Sequence, residues 1–117
     1  MTKLVYVQVK VPGFHHWPDA SKEVEFLSEP HRHMFSFMLA MKVTTARQYE
    51  FFLLQQELHN YLNELYDEHE SGLGYDFGAS SCEELATATL EMFQTMGMVY
   101  SVEVSEDDEN GSVVYAD

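Results

Sequence analysis

The chain has little of what several large protein classes require. One of its 117 residues is cysteine, so no internal disulfide is available. Only six side chains are basic against 20 acidic, giving a formal charge of -14 and a long-range field that repels phosphate. That balance argues against nucleic acid and against an anionic membrane surface as partners, since both need a positive face. No apolar run reaches membrane length and no apolar leader opens the sequence, so the cytoplasm is the expected compartment. No low-complexity tract and no repeat of about 20 to 50 residues is present. Disorder is excluded in turn, because 45% of the residues are apolar and seven tyrosines, eight phenylalanines and one tryptophan demand burial. The length fits a single domain over 1–117.

The concentrated chemistry is histidine. Pro30-His31-Arg32-His33-Met34-Phe35 opens the apolar run Met34 to Val43, which reads as a strand buried on both faces. Residues two apart on a strand point the same way, so the imidazoles of His31 and His33 share a face, which is a chelating arrangement. A third ligand must come from elsewhere. His15 or His16, in Phe14-His15-His16-Trp17 just after a first apolar strand, is the natural donor if the two strands lie side by side. Three neutral imidazoles with an open fourth position suit a catalytic zinc better than a structural one, which usually closes all four positions with protein ligands.

The remaining elements follow from period and punctuation. Leu4 to Val11 is strand-like and ends at Pro12-Gly13. Phe14 to Pro30 has no clear period and reads as a long functional loop. Tyr49 to Tyr66 is the clearest helix, with Phe51, Leu54, Leu58, Tyr61, Leu62 and Leu65 on one stripe. Asp67 to Gly74 is acidic and glycine-bearing, hence a loop. A second helix begins near Ser80-Ser81-Cys82-Glu83-Glu84, where serine caps and glutamate complements the dipole, and ends at Gly97. Val99 to Glu106 alternates as a third strand, Asp107 to Gly111 is a hairpin turn, and Ser112 to Tyr115 is a fourth strand. The expected class is α+β: a four-stranded antiparallel sheet with two helices on one face, in the order ββααββ.

The element order, the histidine after the first strand, the H-x-H opening the second and the serine-glutamate helix start together resemble the 6-pyruvoyl-tetrahydropterin and 6-carboxytetrahydropterin synthases. The resemblance spans nearly the whole chain. It implies the tunnelling fold, in which subunits join their sheets into a β-barrel with sites at subunit interfaces, and a zinc-dependent lyase acting on a reduced pterin or a dihydroneopterin triphosphate-like substrate. It implies Zn2+ on His15, His31 and His33, with His15 preferred over His16. Glu50-Phe51 stands where the family has an aspartate-phenylalanine pair, and Ser81-Cys82-Glu83 matches a threonine-x-glutamate segment, which puts Glu83 on the ligand. Glu106 matches the glutamate that grips the aminopyrimidine edge, a task suited to a carboxylate that accepts two parallel N–H bonds.

The departures bear on catalysis. The family's cysteine lies a few residues before the H-x-H, and here Phe26-Leu27-Ser28-Glu29-Pro30 carries no thiol. Arg32 replaces the glycine between the two ligand histidines. The nearest match to the family's aspartate-histidine relay is Asp67 and His69, separated by Glu68. Cys82, at a helix N-terminus that favours thiolate, is a candidate replacement, and His69, Asp67 and Cys82 are therefore the expected proton-moving groups. The other reading is a non-catalytic protein of the same fold that sequesters a pterin, purine or nucleotide metabolite. Either way a homo-oligomer is expected, because a sheet covered on one face leaves its other face and its edges exposed.

Overall fold

Val7, Val9 and Val11 alternate with Tyr6, Gln8 and Lys10, which puts the valines on one face of an extended chain. In the computed structural model, which describes residues 1–117, this segment is β1 (Lys3–His15), and the three valines are buried. The strand runs past Pro12-Gly13, where the sequence suggested a stop. The carbonyls of Gln8 and Phe14 both point away from the neighbouring strand, to Gln55 Nε2 and to the Phe77 N–H, so even-numbered residues turn their polar groups outward. The N–H that Pro12 lacks is therefore on the outer edge, where proline is tolerated. Gly13 lies on the core face, and a Cβ there would run into the ring of Phe77.

After a short 3₁₀ helix (Lys22–Ser28) inside the irregular loop, β2 (His31–Val43) returns antiparallel to β1. It includes both histidines of the H-x-H. Phe35, Phe37, Leu39 and Met41 on its core face are fully buried. Then follow α1 (Phe51–Leu65), β3 (Tyr75–Asp76), α2 (Cys82–Gln94), β4 (Val99–Glu106) and β5 (Asn110–Tyr115). No helix is long and apolar enough to cross a membrane.

The fold is α+β, but the sheet is not the expected four-stranded antiparallel one. It has five strands in the order β3-β1-β2-β4-β5, and β3 runs parallel to β1 through Gly13–Tyr75 and Phe14–Asp76. The other three pairings are antiparallel. A two-residue strand has no period to read. It exists because the loop after α1 returns its backbone to the end of β1, where the Phe77 N–H reaches the Phe14 carbonyl at 2.8 Å.

Both helices contribute to one core against the same sheet face. Leu54, Leu58, Tyr61 and Leu62 are buried from α1, while Phe51 and Leu65, at the two ends of the expected stripe, are exposed. From α2 the buried set is Cys82, Leu85, Ala86, Thr89, Leu90 and Phe93. These side chains join the valines and the β2 aromatics in one cluster. Each fully buried Leu or Phe contributes about 1.5–3 kcal/mol relative to exposure. Ser81 starts α2 with a reciprocal capping box: its Oγ accepts the Glu84 N–H and the Glu84 carboxylate accepts the Ser81 N–H, each at 3.1 Å.

Candidate metal centre

The core face of the sheet does not end at the core. Along β1 the buried positions Val9, Val11 and Gly13 lead to His15, and along β2 the sequence Phe37, Phe35, His33, His31 extends the same face in the opposite direction. The register pairs His15 with His31, and Gly13 with His33. The absence of a side chain at Gly13 is what admits the Phe77 ring at this end of the core. The three rings meet edge-on, with centroids 4.6, 5.4 and 5.0 Å apart, and one nitrogen from each falls within 4.8 Å of the others. Phe35, fully buried, packs edge-on against both His15 and His33 and backs the cluster.

Each imidazole is held from behind by an acceptor. His15 Nδ1 lies 3.0 Å from the Ser80 carbonyl, His31 Nδ1 2.9 Å from the Glu29 carbonyl, and His33 Nδ1 2.6 Å from Asp107 Oδ2. A carbonyl or carboxylate oxygen can only accept, so all three Nδ1 atoms carry a proton, and in the neutral tautomer this selects, each ring turns an Nε2 lone pair inward. The Nε2 of His33 is buried with no hydrogen-bond partner. Burial pushes the His15 imidazole below its ordinary range, and His31 and His33 act in the same direction, against the Ser80 carbonyl and Glu106. Three converging lone pairs, one of them orphaned, with outer partners fixing the tautomers, fit a metal ion. The residues that would hold it are His15, His31 and His33; His16 is not in the cluster.

Glu106, at the end of β4, pairs with Phe35 and so projects onto the same face. Its Oε2 is 3.2 Å from His15 Nε2 and 3.5 Å from His33 Nε2. The next residue, Asp107, begins a turn in which Asp107 and Asp108 both adopt left-handed backbone (φ 56° and 55°), a conformation aspartate tolerates better than most residues. The turn points the Asp107 carboxylate back at β2, where it accepts the Met34 N–H at 2.9 Å as well as His33 Nδ1–H. These two donors hold its carboxyl below the usual range.

The cluster opens into a cleft of about 530 Å³. His15, His31, Trp17, Glu106 and the Ser80–Glu84 end of α2 line it, with Asn110–Ser112 opposite, and no lysine or arginine does. Glu83 accepts the Ser112 hydroxyl at 2.7 Å, tying α2 to β5 across the cleft. Cys82 lines the cleft but is 8% exposed. Burial first, then the charges of Glu106 and Glu83, push its thiol up to about 12, so the helix N-terminus does not deliver a thiolate.

Asp67 and His69 are outside this cleft. His69 stacks on Phe14, at 3.8 Å between centroids, and its Nδ1 meets Ser71 Oγ at 2.8 Å. Phe14 alternates with His15 along β1, so this stack belongs to the opposite face of the strand. The structure thus gathers His15, His31, His33, Glu106, Glu83 and Cys82, and leaves Asp67 and His69 apart. Sequence reasoning missed Asp107 and the carbonyls of Ser80 and Glu29. Backbone acceptors leave no trace in residue type, and nothing links Asp107 to a histidine 74 positions away except the strand register.

A scan against protein-family models finds no match to this chain, and no curated protein matches it either.

Proposed function

We propose that this chain is a zinc-dependent, synthase-like enzyme acting on a reduced pterin or a related heterocycle, as its resemblance to the 6-pyruvoyl-tetrahydropterin and 6-carboxytetrahydropterin synthases implies. The observation that carries the reading is the convergence of His15, His31 and His33 beside an open cleft that His15 and His31 line. An all-imidazole set suits zinc, which would supply Lewis-acid polarisation of a ligand oxygen. The chain's own groups do the rest. Glu106 accepts paired N–H groups from the heterocycle edge. Trp17, half exposed at the rim, offers an aromatic face. Glu83 fixes the far wall through Ser112. With only acidic and neutral side chains besides histidine, this cleft suits a neutral ligand rich in N–H donors better than a triphosphate ester. The functional unit in this reading is a homo-oligomer closed into a β-barrel, with sites at subunit interfaces.

One observation favours a second reading, binding without turnover. Cys82 is held as the neutral thiol, and Asp67 and His69 do not line the cleft, so the proton-moving groups expected from the resemblance are not presented beside the metal ligands. Elemental analysis of the native protein, with mass spectrometry of the supernatant after denaturation, separates the two. About one zinc per chain with a pterin bound, and turnover lost in His31→Ala, supports the enzyme. A bound purine or nucleotide with no zinc supports the sequestering protein. A folded protein that neither contains nor takes up metal overturns the metal-dependent reading.

A further inference from the structure

Building on the metal-centre reading, the geometry points to Glu106 as a fourth protein ligand, which closes a centre of three histidines and one carboxylate when the cleft holds nothing else.

The argument is one of distances. Two ligands on a tetrahedral ion with bonds of about 2.0–2.1 Å stand about 3.3–3.4 Å apart. Glu106 Oε2 lies 3.2 Å from His15 Nε2 and 3.5 Å from His33 Nε2, on both sides of that value. It does not share the mutual spacing of the three imidazoles with His31, so ligation draws His31 and the carboxylate together. Each ring already donates from Nδ1, to the Ser80 carbonyl and to Asp107, so in its neutral form each presents a lone pair at Nε2. Lone pairs facing a carboxylate oxygen at van der Waals distance repel unless a cation lies between them. His33 Nε2 has no hydrogen-bond partner, so its approach to Glu106 is not a hydrogen bond. The backbone leaves Glu106 little choice of direction. It is the last residue of β4, paired with Phe35, and the left-handed turn that follows is fixed by Asp107 on Met34 and His33. A ligand that engages the Glu106 carboxylate therefore competes with the metal for it, and entry to the cleft and opening of the fourth coordination position become one event.

Cobalt(II) is the probe, because its visible d–d absorption reports coordination number directly. The apo-protein, Glu106→Gln and Glu106→Asp are titrated with Co(II), and Zn(II) affinity is measured by competition with a chromophoric chelator. Circular dichroism checks each fold. The wild type is expected to give an intense four-coordinate spectrum. Glu106→Gln should change that spectrum and weaken zinc by more than the roughly 10- to 100-fold that loss of an outer partner costs. Glu106→Asp keeps the charge but draws the oxygen back by one methylene, and should fall with Glu106→Gln if the carboxylate ligates. Aspartate retaining wild-type affinity and spectrum, or all three proteins behaving alike, overturns the fourth ligand while leaving the three-histidine centre standing. A wild type that binds neither ion overturns that centre itself.

Discussion

His33 Nδ1 lies 2.6 Å from Asp107 Oδ2, and the other oxygen of that carboxylate accepts the Met34 N–H at 2.9 Å. One residue of the β4–β5 turn thus fixes both the tautomer of a candidate ligand and the backbone beside it. Asp107→Asn keeps the shape and tolerates the left-handed backbone, but it loses the charged acceptor. Metal affinity should fall roughly 10- to 100-fold with the fold retained. Chelator competition beside a circular dichroism spectrum checks this, and unchanged affinity would show that His33 needs no outer partner.

Metal should stabilise the fold, because its ligands join β1 to β2 at the open end of the core. At 100 times the dissociation constant the gain is about 2.7 kcal/mol. For a chain of this size that corresponds to a rise in Tm of roughly 10 °C. His31→Ala should abolish the rise while leaving the Tm of the metal-free protein little changed, since His31 is only half-buried. Differential scanning calorimetry with and without a chelator reads both quantities.

The Cys82 thiol, pushed up to about 12 by burial, Glu106 and Glu83, should resist alkylation. Iodoacetamide at mildly alkaline pH should modify the native protein far more slowly than the denatured one. The linkage has a definite sign. A group whose folded pKa is raised binds its proton more tightly in the folded state, so its contribution is complete below about 9, the ordinary thiol value, and is lost as pH rises toward 12. Cys82→Ala should accordingly flatten the alkaline fall of the denaturant midpoint. Fast native alkylation at neutral pH would instead restore the thiol as a reactive group.

Much of this structure was legible because it follows from period and register. The alternation in β2 placed His31 and His33 on one face and left His15 or His16 as the third donor, and the rings of His15, His31 and His33 do meet. The Ser81 start of α2 and the end of β4 at Glu106 were likewise readable. What was not legible depended on tertiary contact. β3 is two residues long and owes its existence to the end of β1. The thiol of Cys82 looked activated by its helix N-terminus, but packing against the core and two nearby carboxylates outweigh the dipole. His69 was matched by spacing alone, and stacking on Phe14 places it on the other side of the strand.

Removing the α2 cap tests how firmly the cleft wall is held. Ser81→Ala deletes the acceptor for the Glu84 N–H and should cost about 1 kcal/mol. Because Glu83 follows within the same turn and reaches Ser112 on β5, the loss should also raise hydrogen exchange at the start of α2 and at Ser112. Exchange measured by mass spectrometry would show whether the two move together. A stability loss without the paired increase would mean that the Glu83–Ser112 contact does not depend on the cap.

The sheet has two unfilled edges. β1 has a strand beyond it only at Gly13 and Phe14, and apart from the Gln8 carbonyl, taken by Gln55, the outer backbone from Lys3 to Pro12 has no strand neighbour. β5 is the opposite edge, six residues long. Exposed apolar side chains accompany both: Leu4 and Tyr6 on β1, Val113 and Tyr115 on β5. A free edge with apolar side chains is a template for another strand, and joining the two edges of successive copies would continue the sheet and close it on itself. Light scattering behind a sizing column should therefore return twice 13.5 kDa or a higher multiple. Tyr115→Lys, which puts a charge on the β5 edge, should shift the protein toward monomer while sparing the core, which lies on the other face. A wild type that stays at 13.5 kDa at micromolar concentration would mean that these edges are left unpaired, and that any metal-centred site is complete within one chain.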